Sequence, residues 1–427
     1  DARLMIDPGT IVKFNSTRIE TQNSAQLIAE GQTGYPIVFT SLLDTRYGAS
    51  GPLVADNNVA QFSTFNTTND PGGNTPSPGD WAGFYFAPAS LGSIDRAVIA
   101  YAGGISQVNG QSESFNPVQI RQAEVRITDS YFEYNTGSSD GSRGALGSIT
   151  PATIYVTGAQ PIIVGNDFRS NKIWDPNSNI MAPIIDINAN AMISDVMPDY
   201  GRTTGHITRY GTYDLNAGPL VRENRFMDNG LNAMNVRGGV ELDTESIWDD
   251  TDIVHVLKTE ITIDNYHHEG GLTLKSGEAE SLVVKLDGSV GNTAGFTALG
   301  TPDLIDDRIG GVLNIMGTPG HSVVLTSIAD DTVGAGFDLE DQVQFDTNND
   351  GLYFVTPGPG EPNPTQPSAG DWRSIKLDNY SHDRNIPVVY EREEGVGESL
   401  DENAYPVWAE SLGTMSGDEK EGDDNIR

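Results

Sequence analysis

The chain has 427 residues, of which 37% are hydrophobic, and it carries 60 Asp and Glu residues against 25 Lys and Arg residues. The resulting formal charge of −35 excludes an ordinary nucleic-acid-binding protein and disfavours anionic membranes, because phosphate groups would be repelled. Cysteine is absent, which excludes disulfides, zinc–thiolate sites and a cysteine nucleophile. No apolar stretch approaches the roughly 18 residues of a membrane-spanning helix, so we expect no membrane insertion.

Short β-strands are predicted from the first residues onward. Their apolar runs are rich in β-branched and aromatic residues, and Gly, Pro or Asx residues separate them every few positions. The 48 glycines and 23 prolines fit short elements joined by many turns, and helical periodicity is almost nowhere visible. The clearest runs are 4–6, 10–14, 26–30, 36–40, 81–86 and 97–103.

A repeated motif predicts which aromatic residues lie inside the fold. Residues 164–171 and 221–229 share the pattern Asn-x-Phe-x-x-Asn, and residues 130–135 carry Ser in place of the first Asn. In a coil of stacked rungs, each Phe would stack inside on its equivalent, while each Asn would adopt or cap a left-handed corner and bond its neighbours. Repeats that close a core only by stacking indicate a solenoid. The predicted inward residues are Phe132, Phe168 and Phe226, and the predicted corner residues are Asn135, Asn171 and Asn229.

Four segments resemble the rungs of a known repeat fold. They are IDPGTIVKF (6–14), LIAEG with PIVFTS (27–41), GDWAGFYF (79–86) and IDRAVIAYAGG (94–104). These segments look like rungs of the right-handed parallel β-helix in large secreted bacterial surface proteins of the adhesin-like kind, and the similarity covers about residues 1–290. The resemblance implies an extracellular or cell-surface location in a bacterium. An array of β-sandwiches is the alternative fold.

One phrase occurs twice, far apart in the chain. YPIVFTSLLDTRYG spans 35–48 and HSVVLTSIADDTVG spans 321–334, and each joins an apolar run to Thr-Ser, one or more aspartates and a glycine. A polar excursion follows each copy and ends in Gly-Asp-Trp before the next predicted strand. We therefore expect Trp81 and Trp372 to fill the same kind of packing position, where the excursion rejoins the coil. A platform for sugar binding is the alternative role of these side chains.

Three regions are predicted along the chain. Residues 1–300 form the parallel β-helix, and residues 301–390 form a second, related β-rich or β-helix segment with an acidic loop. Residues 391–427 are acidic and turn-rich, which predicts a linker leading to a further module. The predicted fold class is therefore an all-β, right-handed parallel β-helix that continues into a second β-rich portion.

The best chemical signal is a candidate calcium loop, DTNNDG, at residues 346–351. Oxygens on alternate residues can converge on one hard cation, and Gly351 permits the sharp turn that such a loop needs. The loop departs from an EF-hand at the position of the bidentate Glu, which is Pro357, so ligands from elsewhere in the excursion are required. A solvated acidic turn is the alternative. The predicted ligand set is Asp346, Asn348, Asp350, Asp330 and Asp331.

Catalytic motifs are weak by comparison. The Gly-x-Ser-x-Gly pattern occurs only at residues 137–141, and no helical pattern follows it, so no nucleophile elbow is predicted. The adjacent His267 and His268 would point to opposite faces of a strand and chelate poorly. Parallel β-helices often host polysaccharide lyases and hydrolases, but so acidic a surface would repel an anionic polymer unless calcium bridged it. On one strand, Arg121 and Arg126 would fall on opposite faces. The candidate lyase groups are Arg121, Arg126, His206, Arg209, Tyr210 and Tyr213.

Together these features predict a non-catalytic structural or adhesive module of a large extracellular surface protein or assembly. Calcium is the expected cofactor, because a cation would rigidify the acidic loops. The expected partners are other copies or modules of the same surface protein, with extracellular polysaccharide as a further candidate and polymerisation left open. Neither nucleic acid nor membrane insertion is expected. The alternative function is a pectate-lyase-like carbohydrate-active enzyme or a carbohydrate-binding β-helix.

Overall fold

The structure is a computed structural model. It describes residues 2–48, 74–138, 141, 143–172, 174–175, 180–205, 210–264, 271–289, 291–300, 310–358 and 363–378. Within these ranges helix is confined to three short 3-10 turns, Gly144–Leu146, Ala189–Ala191 and Gly211–Tyr213. None of the helices in these ranges has the length and apolar character needed to cross a membrane.

Three long sheets, named here A, B and C, run along the coil. Sheet A consists of β1 (Arg3–Ile6), β4 (Gln26–Glu30), β7 (Leu91–Asp95), β12 (Glu124–Thr128), β15 (Ile162–Val164) and β20 (Leu220–Arg222). Sheet B consists of β2 (Ile11–Phe14), β5 (Ile37–Ser41), β8 (Ala97–Ala100), β13 (Tyr131–Glu133), β16 (Asp167–Arg169) and β21 (Arg225–Met227). Sheet C consists of β3 (Arg18–Thr21), β6 (Gly83–Phe86), β11 (Val118–Arg121), β14 (Ile154–Thr157), β19 (Pro183–Asn188), β22 (Leu231–Arg237), β25 (His255–Leu257), β28 (Leu282–Leu286) and β31 (Val323–Ser327).

Smaller sheets complete the described strands. Sheet D consists of β23 (Glu241–Leu242), β26 (Glu260–Ile263), β29 (Gly295–Ala298) and β32 (Ser374–Leu377). Sheet E consists of β24 (Glu245–Trp248), β27 (Gly271–Lys275) and β30 (Leu313–Met316). Two antiparallel hairpins project from the coil, β9 (Ile105–Val108) with β10 (Gln111–Ser114), and β17 (Trp174–Asp175) with β18 (Ile180–Met181).

Each of the first turns of the coil supplies one strand to sheet A, then one to sheet B, then one to sheet C. Neighbouring strands in these sheets pair in parallel, as β4 does with β7 and β13 with β16. Inward-facing apolar side chains from all three sheets meet in one continuous core. This arrangement confirms the predicted all-β parallel β-helix.

The predicted aromatic stack is confirmed. Phe132, Phe168 and Phe226 are in register on neighbouring strands and are buried. Their ring centroids lie 4.8 and 5.6 Å apart with nearly parallel planes. Stacking of equivalent rings buries apolar surface that a single rung could not cover by itself.

The predicted asparagine ladder is also confirmed at the corner that follows these phenylalanines. Asn135 Nδ2 donates to Asn171 Oδ1 at 2.9 Å, and Asn171 Nδ2 donates to Asn229 Oδ1 at 3.0 Å. The left-handed residue is the one before each asparagine, for example Ser170 (φ 53°) and Asp228 (φ 55°). The asparagines therefore cap the left-handed corner rather than adopt it, because their amides replace backbone hydrogen bonds that the corner cannot make.

The cross-section of the coil changes after β22. Sheet C continues, but sheets A and B end at β20 and β21, and sheets D and E begin. The open edge of β20 is covered by the carboxylates of Asp249, Asp250 and Asp252, which accept backbone N–H groups in and beside that strand. Val221 N lies 3.0 Å from Asp250 Oδ1. Side-chain oxygens thus take the place of the carbonyls of a further strand and protect the sheet edge.

Strands on both sides of residue 300 belong to the same sheets. β31 pairs in parallel with β28, and β32 pairs in parallel with β29. The predicted boundary between two regions at residue 300 therefore falls between strands that belong to the same two sheets, C and D. Residues 391–427, the predicted linker, lie outside the described residues.

Candidate cation site

The repeated phrase builds the same hydrogen-bonded turn in both copies. The Thr40 hydroxyl donates to Asp44 Oδ2 at 2.6 Å, and the Thr326 hydroxyl donates to Asp330 Oδ2 at 2.6 Å. The Oδ1 atom of each aspartate accepts the backbone N–H two residues further on at 3.0 Å. The aspartate of each copy therefore closes the start of the excursion.

The serine of the phrase fastens the far end of each excursion. The Ser41 hydroxyl donates to Asp80 Oδ2, and the Ser327 hydroxyl donates to Asp371 Oδ2 at 2.6 Å, although the partners are 39 and 44 residues apart. The same Oδ2 atoms accept the backbone N–H groups three residues earlier at 3.1 and 2.8 Å. Each Gly-Asp-Trp turn is therefore held against the strand from which its excursion departs.

The two tryptophans follow these turns and pack against the core, as predicted. Trp81 is completely buried, stacks on Phe14 with centroids 4.3 Å apart, and donates its Nε1–H to Ala100 O at 2.8 Å. Trp372 is half-buried at the end of the described coil and packs against the same core. The buried ring of Trp81 has no face available to a sugar.

The DTNNDG loop lies inside the second excursion and is closed by its first residue. Asp346 Oδ1 accepts the Asp350 N–H at 3.1 Å, and Asp346 Oδ2 accepts the Gly351 N–H at 2.9 Å. Gly351 has φ 94°, a left-handed conformation that glycine adopts without steric cost. The backbone thus makes the sharp turn that was expected of a cation loop.

Four side-chain oxygens in this excursion are buried and have no hydrogen-bond partner among the described residues. They are Asp331 Oδ1, Thr347 Oγ1, Asn348 Oδ1 and Asp350 Oδ1. Asp331 is completely buried, and its other oxygen accepts the Tyr353 N–H at 3.1 Å. Since a buried acceptor without a partner carries a desolvation penalty of about 1–3 kcal/mol, these oxygens are suited to a bound cation.

The electrostatics of the loop also favour an added positive charge. Burial, together with the charges of Asp346 and Asp350, raises the pKa of Asp331 to about 6 against the opposing effect of the Tyr353 N–H. Burial likewise raises the pKa of Asp346, with a further contribution from Asp350. Mutual repulsion of this kind means that the carboxylates lie near one another and that a divalent cation would stabilise their charged forms.

A buried lysine also faces this cluster. Lys285 on β28 is completely buried, and its ammonium donates to Phe345 O at 3.1 Å. Burial lowers the pKa of Lys285 to about 8, while four aspartates of the excursion oppose that change. Its positive charge therefore offsets part of the negative charge of the loop.

Asp330 has a different role from its neighbour Asp331. Both of its oxygens accept hydrogen bonds, from Thr326 and from Thr332, and these bonds lower its pKa although burial alone would raise it.

Across the described ranges, no three Asp, Glu or His side chains lie close enough together to hold a metal ion. A cation at this loop would therefore need the amide oxygen of Asn348 and backbone or water oxygens beside the carboxylates.

The two arginines considered for lyase chemistry lie on different strands, so the argument about opposite faces of one strand does not apply to them. Arg121 ends β11 in sheet C, and its guanidinium donates to Ser148 O at 2.6 Å. Arg126 lies on β12 in sheet A and is buried. Its guanidinium makes a bidentate pair with Asp199, with Nε–Oδ1 and Nη2–Oδ2 distances of 2.8 and 3.0 Å. A turn between the strands separates the two side chains.

The two described tyrosines of this candidate set donate to carboxylates. Tyr210 donates to Asp129 Oδ1 and Tyr213 donates to Glu223 Oε1, both at 2.7 Å. Burial and the accepting carboxylate raise the pKa of each phenol, so each tyrosine stays protonated at neutral pH and does not supply a phenolate as the base. The remaining candidates, His206, Arg209, His267 and His268, lie outside the described residues.

Two features of the molecule were missed at the level of sequence. Lys285 could have been predicted, because it pairs in register with Thr326 on the neighbouring strand as Lys13 pairs with Thr40. The repeat therefore includes the strand that pairs with the first strand of each phrase. The pair of Arg126 with Asp199 spans 73 residues, and no local pattern in the sequence signals it.

Comparison with protein-family models, curated proteins and solved structures finds no match for this chain. The parallel β-helix fold follows from the sheets themselves.

Proposed function

We propose that the chain is a non-catalytic structural or adhesive module of a large extracellular bacterial surface protein or assembly. The observation that carries this proposal is sheet C, in which nine strands stack side by side along the described coil. Each inner rung shares its backbone hydrogen bonds with two neighbours, so bending or stretching the coil must strain many bonds at once. Such a stack is suited to a stiff rod that presents side chains along its faces.

The fastening of the two excursions supports the same role. Each excursion is long, yet serine–aspartate bonds join both of its ends to one strand. Closing a loop in this way lets it carry side chains outward without loosening the rungs beside it. The excursions are therefore the natural places for contacts with other copies or modules of the parent protein.

The polar groups first considered for lyase chemistry are already bonded to other groups of the protein, which further supports a structural role. Arg126 is buried in its pair with Asp199, and Arg121 donates to a backbone carbonyl. The hydroxyls of Tyr210 and Tyr213 donate to carboxylates. A polysaccharide lyase is the second candidate, and it would need these groups to be free for substrate.

Calcium is proposed as the cation of the second excursion. The unpartnered oxygens of Asp331, Asn348 and Asp350 fit this hard cation, because calcium prefers carboxylate, amide and backbone oxygens. Asp346 shapes the loop through its two backbone contacts. Bound calcium would neutralise the repulsion among these carboxylates and hold the excursion rigid, and Asp330 is left out because its oxygens are engaged.

Antibody labelling of the bacterium that encodes the chain tests the proposed location. Antibodies raised against the purified chain should label intact cells or the material around them, and preabsorption with the chain should remove the label. In parallel, the purified chain should leave pectate and alginate uncleaved with and without calcium, as followed by the absorbance of unsaturated uronates. Labelling only after lysis, or uronate release that Arg126→Ala abolishes, would overturn the proposal.

A further inference from the structure

A groove of about 580 Å³ lies on the outer face of sheet A. Its floor is formed by outward-facing residues of β7, β12 and β15, and its far wall by residues 197–203. Sites for small molecules commonly have volumes of about 300–1,000 Å³. The groove is therefore large enough for a chain of a few small rings, and it is separate from the cation loop.

The wall of this groove is held in place by buried charges. Asp199 is paired with Arg126, and Arg202 donates to Gly31 O at 2.6 Å. Glu30 accepts the backbone N–H groups of residues 203 and 204 at 2.7 and 3.0 Å. The groove is therefore preformed, and a ligand would not have to order the wall when it binds.

Polar groups at the rim of the groove are available to a ligand. Gln26, Gln122 and Glu124 line it, and none of their side chains is hydrogen-bonded within the described residues. Gln160 also lines the groove; its amide nitrogen donates to Ala191 O at 3.1 Å, and its carbonyl oxygen has no partner among the described residues. Amides offer both donors and acceptors, so they match hydroxyl groups, which also have both capacities.

An aromatic ring completes the rim. The side chain of Tyr200 is 78% exposed on the wall of the groove, and Leu91 on the floor is 37% exposed. An aromatic face next to polar groups suits a ligand with one apolar and one hydroxylated face. Sugar rings have this amphipathic character, because their axial C–H groups form an apolar patch between hydroxyls.

The charges around the groove argue against an anionic ligand. Among the described residues beside the groove, the three carboxylates of Glu30, Asp95 and Asp199 outnumber the two guanidiniums of Arg126 and Arg202. Both guanidiniums are already paired with these acids. Glu124 at the rim adds a further negative charge. Uronate, sulfate or phosphate groups would therefore be repelled, whereas a neutral ligand would not.

We infer that the sheet-A groove, defined by the residues above, binds a short stretch of a neutral oligosaccharide. The sugar hydroxyls pair with Gln26, Gln122 and Glu124, and a sugar ring stacks on Tyr200. This binding activity goes beyond the structural role proposed above, and either can fail without the other.

A binding assay with defined oligosaccharides tests the inference. The purified chain is titrated calorimetrically with cello-, malto-, xylo- and mannohexaose, and with hexauronates of galacturonic and mannuronic acid. We expect saturable binding of at least one neutral hexaose and none of the hexauronates. Tyr200→Ala and Gln122→Ala should each weaken that binding at least about tenfold, because each removes a direct contact. Their melting temperatures should stay at the wild-type value, since both side chains are exposed.

Tyr131→Ala is the matched control, since this tyrosine is 53% exposed on β13 of sheet B, away from the groove. It should bind the neutral hexaose as the wild type does. Preference for a hexauronate would contradict the charge argument. Equal affinity of the Tyr200→Ala and Tyr131→Ala variants would place the sugar elsewhere, and the absence of binding to all four neutral hexaoses would overturn the inference altogether.

Discussion

The two long excursions use one fastening device at different places in the coil. The first leaves sheet B at Ser41 and returns to sheet C after Trp81, whereas the second leaves sheet C at Ser327 and returns to sheet D after Trp372. The threonine and serine bonds are nevertheless equivalent in both copies. The device therefore depends on the repeated phrase, because its bonds run between side chains of the phrase and its own excursion and not to a particular sheet.

The copies differ in how they neutralise their acids. In the first copy, Arg46 pairs with the buried Asp44, with Nε–Oδ1 and Nη2–Oδ2 distances of 3.0 and 2.9 Å. In the second copy the equivalent position is Thr332, and an additional buried acid, Asp331, follows Asp330. The first excursion thus carries its own guanidinium, while the second leaves Asp331 Oδ1 and Asp350 Oδ1 without a partner among the described residues, where we propose that calcium binds.

The largest expected difference between the copies concerns their tryptophans. Trp81→Ala should destabilise the protein by about 3–5 kcal/mol, because it opens a cavity in a fully buried site and removes the bond to Ala100 O. Trp372→Ala should cost on the order of 1–2 kcal/mol, since that ring is only half-buried. Urea denaturation of both variants measures the difference, and equal losses would show that the two sites are packed alike.

The pH dependence of the free energy of unfolding should distinguish the two copies, because their buried aspartates respond to acid in opposite directions. The pKa of Asp331 is raised to about 6, above its unfolded value of about 3.9, so the folded state binds the proton more tightly. Its stabilising contribution is present below pH 4 and is lost as the pH rises from about 4 to 6, by up to about 3 kcal/mol. Asp331→Asn should abolish this loss in unfolding experiments done with a chelator.

Asp44 provides the opposite case. Burial alone would raise its pKa, but the hydrogen bonds from Arg46 and Thr40 hold it below its ordinary value. Its contribution is therefore present above the unfolded pKa and is lost as the pH falls. Asp243→Asn, at an exposed position, is the control for Asp331→Asn and should keep the wild-type pH dependence.

If Asp331→Asn also keeps the wild-type pH dependence, Asp331 does not cause the loss of stability between pH 4 and 6.

Calcium should stabilise the protein through the second copy. At a hundredfold excess over Kd, binding to the folded state alone contributes about 2.7 kcal/mol, and a loop without the bidentate Glu suggests a Kd of about 0.1–1 mM. The melting temperature should rise in millimolar calcium, and less in magnesium, which demands tight octahedral geometry. The double variant Asp346→Ala/Asp350→Ala should lose most of this rise.

Screening of the net charge of −35 would also stabilise the chain, so sodium at matched ionic strength is the first control. The double variant Asp7→Ala/Asp243→Ala removes the same charge from exposed positions and should respond to calcium as the wild type does. If sodium reproduces the calcium effect, or both double variants respond alike, DTNNDG is a solvated polar turn.

Much of the coil could be predicted because its rules are local. The inward direction of Phe168 and the corner position of Asn171 follow from their spacing, since side chains alternate along a strand and turns favour Asn. The change from sheets A and B to sheets D and E could not be predicted. It depends on Asp249 and its neighbours covering the edge of β20, and these are acids in a chain that contains 60.

The candidate cation site could likewise be predicted only in part from the sequence. The sequence predicted a loop that turns at Gly351, because alternate oxygens and a glycine specify that geometry by themselves. It grouped Asp330 with Asp331, yet the structure engages both oxygens of Asp330 and leaves one buried oxygen of Asp331 without a described partner.

The sequence by itself determined the strands, the inward stack of phenylalanines, the asparagine corners and the repeated phrase that fastens both excursions. These features depend on residues that are close along the chain or that recur at regular spacing. Only the tertiary structure decided which acids are buried, which are paired and where a groove is left open, as the contact of Arg126 with Asp199 illustrates. The physical reason is that desolvation and ion pairing depend on which distant segments pack together, and two neighbouring aspartates with the same chemistry can therefore have opposite pKa shifts.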